Sequence, residues 1–380
     1  SPEENEAHAQ VKKYMEEAGM TVHMDAAGNL VGRKEGTDPN ASVVMTGSHI
    51  DTVYGGGMFD GRLGVIGGIE AVLAMTEAGI QTKHPIEVIA YRDEEGTRFV
   101  GSYSGAGHLT GGYDHGIMEH ADKDGKTVRE CLKECGIDPD HVDDAKLPEG
   151  YAKAHLELHI EQGAVLESKG LSVGVVTGIC CQIRGEVTIK GTASHAGTTP
   201  MDLRKDALAA AAECMLEIED EAKKYPQAVA TVGKITAFPG GVNVVPGEVK
   251  FSIDMRNQKA ALRDAMFDKC VERMKAVCEK RGVSLDVNVL MKDDEGKPCA
   301  DHIQDIVAES CEKAGLPVFR MPSGAGHDSS TFADFCPMGM IFIRSKDGLS
   351  HNKDEYSSPE DCAAGAEVLY HTLLKLASED

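Results

Sequence analysis

Five short groups of side chains in this 380-residue chain have the composition of a metal site. The first is Ser48-His49-Ile50-Asp51-Thr52. Residues two apart in an extended chain share a face, so one of His49 and Asp51 can bind a cation while the other orients it. The second is Phe59-Asp60-Gly61, in a run with Gly55, Gly56 and Gly57. The third is Asp93-Glu94-Glu95-Gly96, and the fourth is Glu157-Leu158-His159-Ile160-Glu161-Gln162-Gly163. The fifth is Ser350-His351, with Glu355 beyond it. Three imidazoles and several carboxylates form an N and O donor set that suits two ions such as Zn²⁺ or Mn²⁺. Each group alone has a plainer reading: a structural histidine, a solvated pair of glutamates, a flexible glycine turn. The glycines match neither G-x-G-x-x-G nor a P-loop, and no HExxH zincin motif is present. What joins the groups is position, each following an expected strand or flanked by glycine.

The elements that must position them read as an α/β pattern. A helix is expected over 3–19, then a strand over 42–47 whose nearly unbroken apolar run suits burial on both faces of a sheet. A helix over 63–78 follows, then strands over 85–91 and 155–160. After Gly178 the rhythm changes. A strand over 182–190, a helix over 205–225, strands over 228–236 and 248–256, a helix over 259–281 and a strand over 284–290 give β-α-β-β-α-β, the ferredoxin-like order. Alternation then returns with a helix over 301–315, strands over 318–321 and 338–343, and a helix over 359–377. These segments predict a discontinuous α/β domain with a mixed sheet, 1–181 plus 295–380, and an inserted α+β domain at 182–294.

Composition narrows the class. Lys plus Arg is 39 and Asp plus Glu is 62, a formal charge of −23. Such a chain repels phosphate backbones and anionic headgroups, so neither nucleic acid nor a membrane is an expected partner. No apolar run approaches the ~18 residues of a membrane span. The start SPEENEAHAQ is acidic and polar, unlike a signal or transit peptide. Eleven cysteines, an odd number without a CxxC pair, fit a reduced, cytoplasmic protein in which thiols serve as small apolar fillers.

Longer runs carry a resemblance. GSHIDTVYGGGMFDGRLGV, RDEEGTRF, LELHIEQGAVLE, SHAGTTPM, GGVNVVPGEVKFSIDMR, MPSGAGHDS and MIFIRSKDGLSHNKDEYS resemble the amidohydrolase branch of the M20 metallopeptidase-like family, from about Ala18 to Ala377. That branch includes N-carbamoyl-L-amino-acid hydrolases, allantoate amidohydrolases and β-ureidopropionases. Bacterial N-carbamoyl-L-amino-acid hydrolases are the most similar, through DAAGNLVGRKEGTDPNASVV and EDCAAGAEVLYHT.

The resemblance implies roles. His49, Asp60, Glu95, His159 and His351 stand at the metal positions, with Asp60 bridging two divalent ions (zinc, manganese, cobalt or nickel). Glu94 stands at the general base and Asp51 at the residue orienting His49. His195, Asn243 and Arg256 of the inserted domain match substrate contacts, with His195 also catalytic as a donor to the oxyanion. Gln162 and the loop Gly324-Ala325-Gly326-His327 match further contacts. The inserted domain is implied to act as lid and dimerisation domain of a homodimer acting on a small ureido substrate. An allantoate amidohydrolase or β-ureidopropionase is the alternative within the branch; a dipeptidase is disfavoured by LHIEQG and GAGHDS. Gln182 in CCQIRG stands where a carbamoylase is expected to carry an apolar residue, and allantoate enzymes are similar there. Gly105-Ala106-Gly107-His108 also departs from the usual run expected near the rim of the site. The other ten histidines match no site motif; His155, on the same strand face as Glu157, is the one whose surroundings matter most.

Overall fold

The computed structural model describes residues 1–99, 103–113 and 115–379. It divides into two compact units, Ser1–Gly178 with Pro298–Asp380, and Ile179–Lys297.

The first unit is built on one mixed sheet. Its strands lie in the spatial order Thr21–Met24, Leu30–Lys34, Ile86–Tyr91, Val43–His49, Ala152–Ile160, Met338–Ile343 and Val173–Ile179. The four from Ile86–Tyr91 to Met338–Ile343 run parallel. On either side of them the pairing turns antiparallel. Val43–His49, Ile86–Tyr91 and Met338–Ile343 are buried along their whole length. That is why they read as continuous apolar runs rather than as alternation. Helices Arg62–Glu77, Asp301–Lys313 and Pro359–Ser378 supply Val65, Ile69, Val72, Ile303, Val307, Val368 and Leu373 to a core shared with Leu156, Leu158 and Ile341 of the sheet. The last helix starts at a Pro, and the Ser358 hydroxyl accepts the Asp361 N–H as its cap. The arrangement brings the carboxyl ends of four parallel strands together, the place where open α/β sheets hold ligands.

The second unit follows β-α-β-β-α-β order, and its main strands lie in the order Ile235–Phe238, Glu248–Asn257, Cys181–Lys190, Ser284–Lys292, all antiparallel. Burial alternates residue by residue along Cys181–Lys190 and Glu248–Asn257. The inward residues Val187, Ile189, Phe251, Ile253 and Met255 pack on Ala210, Cys214, Met266, Cys270 and Met274 of helices Ala207–Ala222 and Ala260–Arg281. These buried cysteines are free thiols that fill volume as small apolar side chains do.

Several elements differ from the sequence reading, among them strand Val173–Ile179 and helix Ser104–Thr110, which were not expected. The hairpin Thr21–Met24 with Leu30–Lys34 was not expected, because its outer strand is mostly exposed and carries no apolar run. Asp25 closes its turn, accepting N–H bonds from Ala27 and Asn29, each at 2.9 Å. The strand expected over 228–236 is two pieces, Val229–Thr231 and Ile235–Phe238, parted around Gly233, where the Lys234 N–H turns to the Ser252 hydroxyl. The strand expected over 318–321 is shifted to Arg320–Ser323. Among the described residues, no helix is long and apolar enough to cross a membrane.

Candidate metal centre and active site

The carboxyl ends of the four parallel strands each lead into one part of the site. His49 is the last residue of Val43–His49, and His159 the penultimate residue of Ala152–Ile160. Glu94 and Glu95 follow Ile86–Tyr91, and His351 lies in the loop after Met338–Ile343. Asp60 comes from the glycine-rich loop ahead of helix Arg62–Glu77. Gly61 in that loop has φ +70°, and a Cβ there would fall 2.5 Å from the His49 ring, so the position is reserved for glycine.

Asp60 is the centre of the arrangement. Its Oδ1 lies 3.1 Å from His159 Nε2 and 3.6 Å from His49 Nε2. Its Oδ2 lies 3.2 Å from His351 Nε2, which is 3.4 Å from Glu95 Oε1. The two oxygens of one carboxylate therefore face two separate ligand sets, His49 with His159 and Glu95 with His351. Two ligand atoms on one tetrahedral zinc, each ~2.1 Å from it, sit about 3.4 Å apart. The observed separations fall around that value.

The imidazoles are oriented for the task. His49 Nδ1 is 3.1 Å from the Asp51 carbonyl oxygen and His159 Nδ1 is 2.9 Å from that of Ile160. With each Nδ1–H donating to a carbonyl, each Nε2 lone pair points at Asp60. At His159 a second contact fixes this tautomer, since the Gly61 N–H donates to Nε2 at 3.2 Å. Asp51 does more than flank His49: its two oxygens accept the backbone N–H groups of Glu94 and Glu95, both at 3.1 Å.

The electrostatics ask for cations. Burial resists charge on His49, yet Glu94, Asp60 and Asp51 outweigh it and hold its pKa well above the usual value. Burial likewise works to raise the Asp60 carboxyl, but His159, His351 and His49 keep it far below the ordinary carboxylate range. Glu95 Oε1 is buried and makes no hydrogen bond. The donor set, its spacing and this unpartnered oxygen fit divalent metal. Glu94 is buried beside the set, its Oε2 4.0 Å from His49 Nε2. Burial, with Glu95, Asp51 and Glu157 adding to it and His49 opposing, pushes its pKa up to about 8. Its place beside both ligand sets suits general-base work.

Other expected site residues are placed differently. Gln162, at φ +58°, donates from Nε2 to Asp60 Oδ2 at 3.1 Å, while its Oε1 is buried without a partner. Gly324 and Ala325 lie in the loop after Arg320–Ser323, where the Ala325 N–H donates to the Ser323 hydroxyl. His327 is only 2% exposed, 2.9 Å from that same hydroxyl through Nε2, with its ring centroid 4.5 Å from that of His159. It packs against His159, a metal-ligand candidate. Gly105-Ala106-Gly107-His108 is likewise buried, inside helix Ser104–Thr110, and not on a rim. His155 is buried and neutral, its pKa lowered to about 3 by burial; it stacks on Phe332 and reaches Tyr91 and Ser329.

Two buried acids have settings that the sequence reading did not resolve. Glu157 accepts from Ser48 Oγ at 2.7 Å and the Ser329 N–H at 2.9 Å, which makes it a brace between strands. Asp328 is fully buried with neither oxygen hydrogen-bonded; burial, Glu157 and Glu94 push its carboxyl well above the usual range. Glu157 opens one of the flagged groups and Asp328 follows His327, but nothing in their spacing separates a brace from a ligand.

In the second unit, residues Ser194–His195 pair with Val244–Val245, which sets His195 beside Asn243. The Gly197 and Thr198 N–H groups donate to His195 Nδ1 at 3.0 and 3.2 Å. The exposed ring is thereby fixed with its proton on Nε2, ready to donate. Arg256 is gripped by Asp254 of its own strand, Nε to Oδ1 at 2.7 Å and Nη2 to Oδ2 at 2.9 Å. Directly across the strand pair from Arg256 stands Gln182, whose Oε1 is buried and unbonded.

Comparison with known proteins gives the family. Residues 19–375 match the model of peptidase family M20/M25/M40. The chain is 48% identical over 377 residues to an N-carbamoyl-L-amino acid amidohydrolase of Geobacillus stearothermophilus, covering 99% of this chain and 91% of that protein. It is 38% identical over 381 residues to an allantoate amidohydrolase of Escherichia coli K12, covering 99% and 92%. Among solved structures, a hydantoinase/carbamoylase-family amidase from Burkholderia multivorans superposes with a TM-score of 0.95 at 34% identity, covering 100% of this chain and 92% of that one. Coverage and identity at this level leave one assignment: the chain belongs to peptidase family M20/M25/M40.

Proposed function

We propose that this protein is a metal-dependent amidohydrolase that cleaves the carbamoyl C–N bond of N-carbamoyl-L-amino acids. The observation that carries the reading is Asp60, whose two oxygens address two ligand sets while Glu94 lies buried beside them. Similarity to enzymes named N-carbamoyl-L-amino-acid amidohydrolases, at 48%, 39% and 36% identity, supports the substrate class.

His49, Asp60 and His159 would hold one divalent ion, and Asp60, Glu95 and His351 a second. A ureido carbonyl is a poor electrophile because two nitrogens donate into it; bound divalent ions supply Lewis acidity that polarises it and acidifies water. Glu94 takes the proton from the attacking water and returns it to the leaving amino nitrogen. His195, with its Nε2 proton, donates to the oxyanion. Arg256 holds the α-carboxylate and Asn243 adds a neutral donor. Water adds to the carbamoyl carbon, the C–N bond to the amino acid breaks, and the carbamate released decomposes to CO₂ and ammonia. Ile179–Lys297 takes the role of lid and dimerisation domain, and the free thiols suit a cytoplasmic setting.

One observation favours a second reading, allantoate. Gln182 faces Arg256 across the strand pair with an unpartnered carbonyl, and a substrate with a second ureido group could use it. The test is turnover by metal-reconstituted protein, read as ammonia release from N-carbamoyl-L-amino acids and allantoate and as free amino acid released from dipeptides. Turnover of the N-carbamoyl set supports the proposal. Turnover of allantoate alone moves the assignment to the second reading, and cleavage of dipeptides alone removes both.

A further inference from the structure

We infer that Glu355 is a positioning residue that assembles the second metal site, the one formed by Asp60, Glu95 and His351. The inference rests on the dimetal reading above and goes beyond it by naming what holds that site in shape.

Glu355 is 4% exposed and lies beyond the last ligand candidate in the loop ahead of helix Pro359–Ser378. It touches no imidazole in the ligand sets. Its Oε1 accepts the backbone N–H groups of Phe59 at 2.9 Å and Asp60 at 3.1 Å. Its Oε2 is 2.9 Å from Ser350 Oγ, and that hydroxyl is 3.2 Å from Asp60 Oδ2. One buried carboxylate thus ties the loop that carries Asp60 to the residue preceding His351. Gly57 makes room for it: a Cβ there would fall 2.3 Å from the Glu355 Cβ and 2.4 Å from its Oε1. The glycine run is an allowance for close approach at this point.

The two sites depend on Glu355 unequally. His49 and His159 sit on strands, and each ring is fixed by a backbone carbonyl that Glu355 does not touch. His351 is in an irregular loop, with φ +53° and a half-exposed side chain. Its register with Asp60 Oδ2 runs through Ser350 and Glu355. Loss of the clamp should therefore weaken the site that contains His351 and leave the pair His49 and His159 with Asp60 Oδ1 nearly as it was.

The experiment titrates metal-free protein with Co²⁺, followed by calorimetry and by the visible absorption of bound cobalt. Wild type, Glu355→Gln and Ser350→Ala are compared. Wild type should bind two equivalents. In both variants one equivalent should keep its affinity within about threefold, while the other weakens by ~10–100-fold, the usual cost of removing support from a ligand. Should Glu355→Gln fail to fold, Ser350→Ala carries the same expectation. Two unchanged affinities, or an equal loss at both sites, would overturn the inference and leave the dimetal reading standing. A wild type that binds no pair of ions overturns that reading and the inference with it.

Discussion

Asp51→Asn tests whether the backbone of the Glu94-Glu95 pair is set by one carboxylate. Asp51 Oδ1 accepts the Glu94 N–H and Oδ2 the Glu95 N–H, each at 3.1 Å. Asparagine keeps the shape but has one acceptor oxygen. Whichever way the amide turns, one of the two N–H groups faces an NH₂ and loses its partner. A hydrogen bond to a charged acceptor is worth ~1.5–3 kcal/mol. If the base and the ligand are held in their productive positions by these bonds, that energy appears as a loss of ~10–150-fold in kcat/KM. The assay is ammonia release from an N-carbamoyl-L-amino acid at saturating metal, with bound metal measured on the same samples. Loss of the bond to Glu94 shows as a fall in kcat at full metal occupancy; loss of the bond to Glu95 shows as a raised metal requirement. A variant within threefold of wild type in kcat/KM and in metal affinity would refute the reasoning. So would one that melts earlier but turns over normally once folded.

Glu94→Gln should keep its bound metal and lose ~10²–10⁴ in kcat; metal analysis beside steady-state kinetics checks both halves, and loss of metal instead would make Glu94 a ligand. Arg256→Lys keeps the charge but loses the two-pronged geometry proposed to hold the substrate carboxylate, so it and Arg256→Ala should lower kcat/KM for carboxylate substrates by ~10–150-fold, alanine more. A carbamoylated amine without a carboxylate should be nearly indifferent to either change. His155 is neutral when folded, with a pKa of about 3 against 6.5 unfolded, so the unfolded state binds more protons below pH 6.5. Stability should fall by about 1.4 kcal/mol per pH unit from there toward pH 3 through this residue. Urea midpoints of the metal-free protein at pH 4 to 7 should show a shallower decline for His155→Gln, and equal declines would contradict the assignment.

The residues brought together around Asp60 were legible because the buried parallel strands are mostly apolar, so the polar clusters at their ends stand out. His49 after VVMTGS and Glu94 after IEVIAY are such cases. The hairpin at Thr21–Lys34 was not legible, since an exposed edge strand lacks that contrast. Orientation was lost for a different reason. His327 and Gln162 stand at substrate-contact positions by resemblance, which leaves open that the His327 ring packs on His159 and the Gln162 amide donates to Asp60. A sequence gives a side chain's address, but its direction depends on partners such as Ser323 for His327 and the far-off Ser350 for Gln162, whose pairing no motif spells out. Glu355 and Asp328 illustrate the same point for buried acids, one with three donors and the other with none.

The position of Met338–Ile343 in the sheet has a consequence for biosynthesis. It lies between Ala152–Ile160 and Val173–Ile179, although the chain makes both neighbours long before it. Until the last segment leaves the ribosome, the sheet has a slot with two unpaired edges, each a template for mispairing. Ile179–Lys297 emerges complete in the interval and can fold while the slot is open. His351 arrives still later, so a nascent chain offers His49, Asp60 and His159 to a cation well before it can present a full second set. Chains cut short before Met338 would then be aggregation-prone, with an unfilled sheet beside an already folded insert.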